Sequence, residues 1–354
     1  MRMRTKARSR WVVRALAVAP AVALVAACSG SPKAVAPTGA SSPSVAATTA
    51  APSPSPTATT SPLSGRKGGV GTPIVVVKYD NTRAAQPHRG LTSADVVYVE
   101  PVEWGLTRIA AVFSTDIPAV AGPVRSARIS DIDLLAQFGR VAFVFSGAQT
   151  RLLPKIFTAD WLPVDDDAGA AGFHREDGTG RYMPTNLMAD PQAILATVGA
   201  SVAVTRDMGW VFDEQRPAGG TAASVVTARW PASSVQLRWN AQKAKYDVWM
   251  NGSPARDTDK PGVQRASTVI VQYVREHDSG YGDKFGGRTP MAQTVGQGKG
   301  VLLRDGRAYK ITWERPTATS PTAYNDAATG EPIAMAPGQV WVLLQAKDRK
   351  VTVE

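Results

Sequence analysis

The chain has 354 residues, 44% of them hydrophobic and 19% charged, a balance that excludes disorder throughout and suffices for two domains with substantial cores. Its formal charge of +11 would suit a nucleic-acid binder, but residues 1–27 supply +6 and residues 28–69 a further +3, leaving only +2 for residues 70–354. The folded part is therefore nearly neutral, and neither a general basic groove nor nucleic-acid binding is expected.

Taken in chain order, residues 1–27 read as an export signal: a basic start, the apolar run Trp11–Ala27, then small residues. Arg14 interrupts the run and a small-residue processing site follows it, which argues against a permanent membrane-spanning helix. The tetrapeptide VAAC, Val25 to Cys28, resembles the lipobox of bacterial lipoproteins. That resemblance implies a signal peptide removed at Cys28, a palmitate-type acyl chain on Cys28, and anchoring of the mature chain to the outer side of the cell membrane. Cys28 is the only cysteine, so no internal disulfide forms. Residues 28–69 are expected to be a disordered tether. From Ser29 to Ser64, 34 of 36 residues are Ser, Thr, Pro, Ala, Gly or Val, with Lys33 and Leu63 the exceptions.

Residues 70–215 alternate strand and helix patterns. PIVVVKYD gives a buried-type strand at Ile74–Tyr79, ADVVYVEPVEW and LTRIAAVFST give two more joined by a tight turn at Trp104-Gly105, and VAFVFSG gives a fourth. ISDIDLLAQF has helical apolar spacing, with Ser130 and Asp133 in capping-box spacing. TRLLPKIF reads as a short helix limited by Pro154, and Asp190-Pro191 as the N-cap and first residue of another. This order predicts an α/β or α+β domain. Residues 216–354 hold short β-type segments with a hairpin turn at Asp305-Gly306, which predicts a mainly β domain.

The usual signatures of chemistry are missing from the sequence. His88, His174 and His277 stand far apart with no cysteine to assist, so no metal and no cofactor are expected. GQGKG, Gly296 to Gly300, superficially suggests a phosphate loop, but Lys299 precedes glycine instead of Ser or Thr, and the segment lies between β-strands. No G-x-S-x-G nucleophile elbow occurs.

What stands out is dense charge beside strand ends: Asp80, Asn81 and Arg83 after the first strand, Glu100 and Glu103 around the end of the second, Thr107 and Arg108 opening the third, and Arg125, Ser126 and Arg128 before the helix. Strand ends and helix starts are where α/β domains gather binding groups, so these ten residues are the candidate ligand-binding set. Arg125 and Arg128 pose a question, because a helix N-terminus disfavours positive charge. They can hold an external carboxylate or phosphate bidentately, or pair with the chain's own acids, Glu100, Glu103, Asp131 or Asp133, and the two readings are compatible.

PIVVVKYDNTRAAQPHRGL, ADVVYVEPVEWGLTRIAAVF and above all GPVRSAR with the following Asp131 resemble the N-terminal domain of YerB-like bacterial lipoproteins. FHRED and MPTNL, around Arg175 and Asn186, fit the same domain, and TAYNDAATGEPIAMAPGQVWVLL resembles that family's C-terminal domain. The resemblance implies a two-domain extracytoplasmic lipoprotein and brings no catalytic residue with it. The expected function is a non-catalytic binding or scaffolding module that recognises an anionic envelope component or a protein partner. The alternative is an envelope hydrolase or transferase in which Asp80, Glu100 or Glu103 supplies acid–base chemistry.

Overall fold

The structure, a computed structural model, describes residues 59–354. The signal segment, Cys28 and the tether up to residue 58 lie outside the described residues. Residues 59–69, expected to belong to the tether, are described and are held against the fold. Leu63, the one large apolar residue in it, is fully buried in the core, and Ser64 donates from Oγ to Asp95 Oδ1 at 2.6 Å. Arg66 donates to the carbonyls of Ser93 and Ala94 at 3.0 and 2.9 Å, which fixes the segment against the turn at residues 91–94.

The N-terminal half is mixed α/β: β1 (Val75–Asp80), β2 (Val96–Pro101), β3 (Thr107–Phe113), α1 (Ile129–Ala136), β4 (Ala142–Phe145), α2 (Leu153–Thr158), β5 (Leu162–Asp165), a small hairpin of β6 (Phe173–Arg175) and β7 (Leu187–Ala189), and α3 (Pro191–Val198). The C-terminal half is mostly β: β8 (Thr221–Ala222), β9 (Val225–Trp230), β10 (Ser233–Asn240), β11 (Lys245–Met250), β12 (Ser253–Pro254), β13 (Arg265–Ala266), β14 (Thr268–Gly282), β15 (Arg288–Gln293), β16 (Gly296–Arg304), β17 (Arg307–Arg315), β18 (Ala323–Asp326), β19 (Val340–Ala346) and β20 (Thr352–Val353).

Strands from both halves enter one sheet, in the order β18-β17-β16-β14-β19-β2-β3-β1-β4-β5. β19 lies parallel to β14 on one side and to β2 on the other. β1, β4 and β5 are likewise parallel, so two blocks of parallel strands flank the antiparallel β3. Near-continuous apolar runs such as Val75–Val77 and Val340–Leu344 suit strands covered on both faces. One face packs on a second sheet, β12-β11-β10-β9-β20, through Val77, Val99, Trp341 and Leu343 against Val226, Leu237 and Val248. The other face packs on α1 and α2, with Tyr98 edge-on to Phe138 at 6.2 Å between ring centres.

Several local readings hold. Trp104 and Gly105 turn with φ of 62° and 70°, and Asp305-Gly306 closes the β16–β17 hairpin with φ of 52° and 68°. Asp190 caps α3 by accepting from Ala193 N at 2.9 Å. Two helix starts differ from expectation. Pro154 lies in the first turn of α2, where its missing N–H costs no hydrogen bond, so it opens the helix and does not limit it. α1 takes Arg128 as N-cap, and the acid serving its first turn is Asp131, not the Ser130–Asp133 pair.

Candidate functional site

The polar cluster grows out of strand alternation. Val76, Lys78 and Asp80 share one face of β1, the face that α1 covers, and Arg108 on β3 stands in register with both Asp80 on β1 and Glu100 on β2. Three neighbouring strands therefore end in charge on the helix side of the sheet.

GPVRSAR completes the arrangement. Arg125 N–H donates to the Lys78 carbonyl at 2.8 Å, while Ser146 N–H donates to the Arg125 carbonyl at 3.1 Å and Ala127 N–H to that of Gly147 at 3.0 Å. The segment is thus wedged between the ends of β1 and β4 as an irregular strand. Gly122, which opens it, has room for no side chain: a Cβ there would sit 2.7 Å from Met188 Sδ and 2.9 Å from the Leu187 carbonyl.

At the centre, the fully buried Lys78 ammonium donates to Glu100 Oε1 and, at 2.7 Å, to Asp131 Oδ1. The other Asp131 oxygen accepts the Arg128 N–H at 2.6 Å, so an acid stands where the helix start favours one. Arg128 itself turns back: its guanidinium reaches Glu103 Oε2 at 2.8 and 3.0 Å and the carbonyls of Ser126 and Ala127 at 3.1 Å. Asp80 takes Arg125 Nε at 2.8 Å and Arg108 Nη1 at 3.4 Å. Both arginines of the motif are therefore braced by the chain's own acids.

Electrostatics differ across Asp80, Glu100 and Glu103. Burial raises Asp80 and Glu103, but Arg108 with Arg125, and Arg128, respectively, outweigh it and hold both below the ordinary range. Burial, with Asp131 beside it and only Lys78 opposing, pushes Glu100 up to about 8. Burial lowers Arg108 to about 10 against the pull of Asp80.

Of the ten residues predicted as a site, eight gather here. Asn81 joins by donating to Thr107 Oγ1 at 2.7 Å, and Ser126 borders the cluster half-buried through its carbonyl. Arg83 lies elsewhere, exposed and donating to the Asn251 carbonyl at 2.9 Å. Glu100 is fully buried and faces no cleft. Sequence reasoning left out Lys78, although a lysine inside a run of buried valines already demanded an acid partner. It also missed Thr289, which donates to Glu103 from β15.

Outward, the cluster offers one open group. Arg125 uses Nε for Asp80, its side chain is 28% exposed, and its two terminal nitrogens have no hydrogen-bond partner among the described residues. Three buried atoms of the cluster also lack a partner there: Asn81 Oδ1, Glu100 Oε2 and Arg108 Nε. Among the described residues no group of three His, Cys, Asp or Glu is placed to hold a metal ion, and no helix is long and apolar enough to cross a membrane.

Comparison with known proteins identifies the family and the fold. Residues 60–203 match the N-terminal domain, and residues 226–342 the C-terminal domain, of a protein family of unknown function, DUF3048. The "Putative lipoprotein YerB" of Bacillus subtilis (strain 168) is 39% identical over 75 residues, a stretch covering 21% of this chain and 22% of that relative. The crystal structure of the YerB protein from Bacillus subtilis superposes with a TM-score of 0.66 at 21% identity, over 83% of this chain and 99% of the other, which shows the shared fold.

Proposed function

The chain belongs to the DUF3048 family, both of whose domains it carries in order, and from that premise we propose that it is an extracytoplasmic lipoprotein, anchored to the cell membrane through lipidated Cys28, that binds an anionic envelope component without catalysis. The lipobox-like VAAC and the likeness to a lipoprotein support the anchor. The observation that carries the binding reading is the Arg125 guanidinium, oriented by Asp80 and part-exposed, with both terminal nitrogens unpartnered among the described residues.

Charge supports the same reading. Burial pushes Glu100 up to about 8, which weakens its offset of the neighbouring cations near neutrality, and of Lys78, Arg108, Arg125 and Arg128 it is Arg125 whose side chain is the most exposed. A carboxylate or phosphate placed there completes the fork.

The hydrolase reading draws on Glu100 and Glu103, whose environments push them in opposite directions as acid–base pairs require. Glu100, however, is fully buried against Lys78, which favours a brace over a proton donor to substrate.

Calorimetric titration of the purified chain with a phosphodiester-linked wall polymer tests the binding reading. Arg125→Gln keeps a donor for Asp80 but loses the charge, and should weaken binding by about ten-fold or more, the worth of a charge-assisted hydrogen bond. Equal affinity in a variant with an unchanged unfolding midpoint rules this site out.

A further inference from the structure

The GQGKG segment opens β16, with Gly296, Gly298 and Gly300 alternating with Gln297 and Lys299. Gly298 stands opposite Trp313 of β17, and a Cβ there would lie 2.6 Å from Trp313 Nε1, so the indole lies directly across the glycine. Trp313 Nε1 donates to the Tyr273 carbonyl of β14 at 3.1 Å.

Pairing between β14 and β16 stops at Gln272 and Gly300. Beyond that point β14 leaves its neighbour, and from Arg275 onward it pairs with β15. Where the strands part, a cavity of about 580 Å³ opens, within the range of small-ligand sites. Tyr273 and Trp313 give it aromatic walls, and Arg275, Lys299, Lys347 and Lys350 surround them. No acidic residue lines it, and none of the four cations forms a salt bridge among the described residues. Residues 70–354 carry a net charge of only +2, so four unpaired cations around one cavity do not follow from composition. Like charges gathered on low-dielectric walls focus a positive potential into the space between them.

We propose that this cavity is a second binding site, for a polyanionic ligand whose phosphate or carboxylate groups are held by Arg275, Lys299, Lys347 and Lys350 above the Trp313 indole. It is separate from the arginine face: β14 and β1 are four strand spacings apart in the sheet, roughly 20 Å. The two sites therefore stand or fall independently.

The test is calorimetry on the purified chain with tripolyphosphate in one arm and a short oligouronate in the other, which separates phosphate from carboxylate recognition. The four cations and the glycine-backed indole predict that at least one probe binds. Lys299→Gln/Lys347→Gln/Lys350→Gln should weaken that binding about ten-fold or more, each lost charge contributing modestly at an exposed site. All three positions are exposed, so folding should be unaffected. A matched variant, Lys67→Gln/Lys243→Gln/Lys284→Gln, removes three exposed charges outside the cavity and should retain wild-type affinity. Failure of both probes to bind, or equal weakening by the two triple variants, overturns the site.

Discussion

Lys78 is the residue on which the polar cluster closes, one buried ammonium shared by Glu100 and Asp131. Removing the only cation from such a group strands buried acids without their ammonium partner, which typically costs about 3–5 kcal/mol. Lys78→Met should lower the unfolding free energy by that amount in denaturant titrations at pH 7. Glu100→Gln should be no less stable than wild type there, because the folded wild type must hold a proton that its unfolded chain releases, whereas the amide needs none and its oxygen still accepts from Lys78. The pH dependence fixes the sign. Glu100 binds its proton more tightly in the folded chain, near 8, than at its ordinary value of 4.5. Its contribution is thus fully present below 4.5 and is lost as pH rises through 8. Wild type should lose stability relative to Glu100→Gln between those limits, and parallel pH profiles for the two proteins would contradict this assignment.

At the scale of elements, GPVRSAR is legible as a motif but not as a strand, because its pairing partners, β1 and β4, are brought to it only by the sheet. Its arginines look misplaced in a linear reading. The helix start is instead served by Asp131, while Arg128 folds back on Glu103. GQGKG shows the opposite case, a motif dismissed as a phosphate loop that the structure places on a strand beside a cationic cavity. Its glycines have a packing reason. Gly298→Ala would push the buried Trp313 ring off the strand and break its bond to Tyr273, an overpacking cost of about 1–3 kcal/mol. A lowered melting temperature with a shifted tryptophan emission spectrum should follow, and an unchanged spectrum would show that the ring lies elsewhere.

For the whole molecule, β19 is the decisive strand. It is fully buried, comes from near the end of the chain, and lies between β14 and β2, so it joins the two halves into one sheet. Residues 59–215 expressed alone would expose the β2 edge with Val97 and Val99, a row of unpaired backbone groups beside apolar side chains. That fragment should aggregate or fail to unfold cooperatively. The complete chain should show one transition by circular dichroism and by fluorescence. Two separate transitions would mean that β19 does not bind the halves together.

Periodicity, turn chemistry and capping act over a few residues, so the mixed first half, the β second half, the Asp305-Gly306 hairpin and the Asp190 cap were all readable from the order of amino acids alone. The charged residues at strand ends were readable too, as was the need for arginines to meet acids. Which arginine meets which acid was not, since Arg128 and Glu103 or Lys78 and Asp131 become neighbours only when β1, β2, β3 and α1 stack. The continuous sheet, the folding of Leu63 into the core, and the cavity between β14 and β16 likewise depend on contacts between distant segments. Local sequence sets the elements; which side chains share a space is decided by long-range packing.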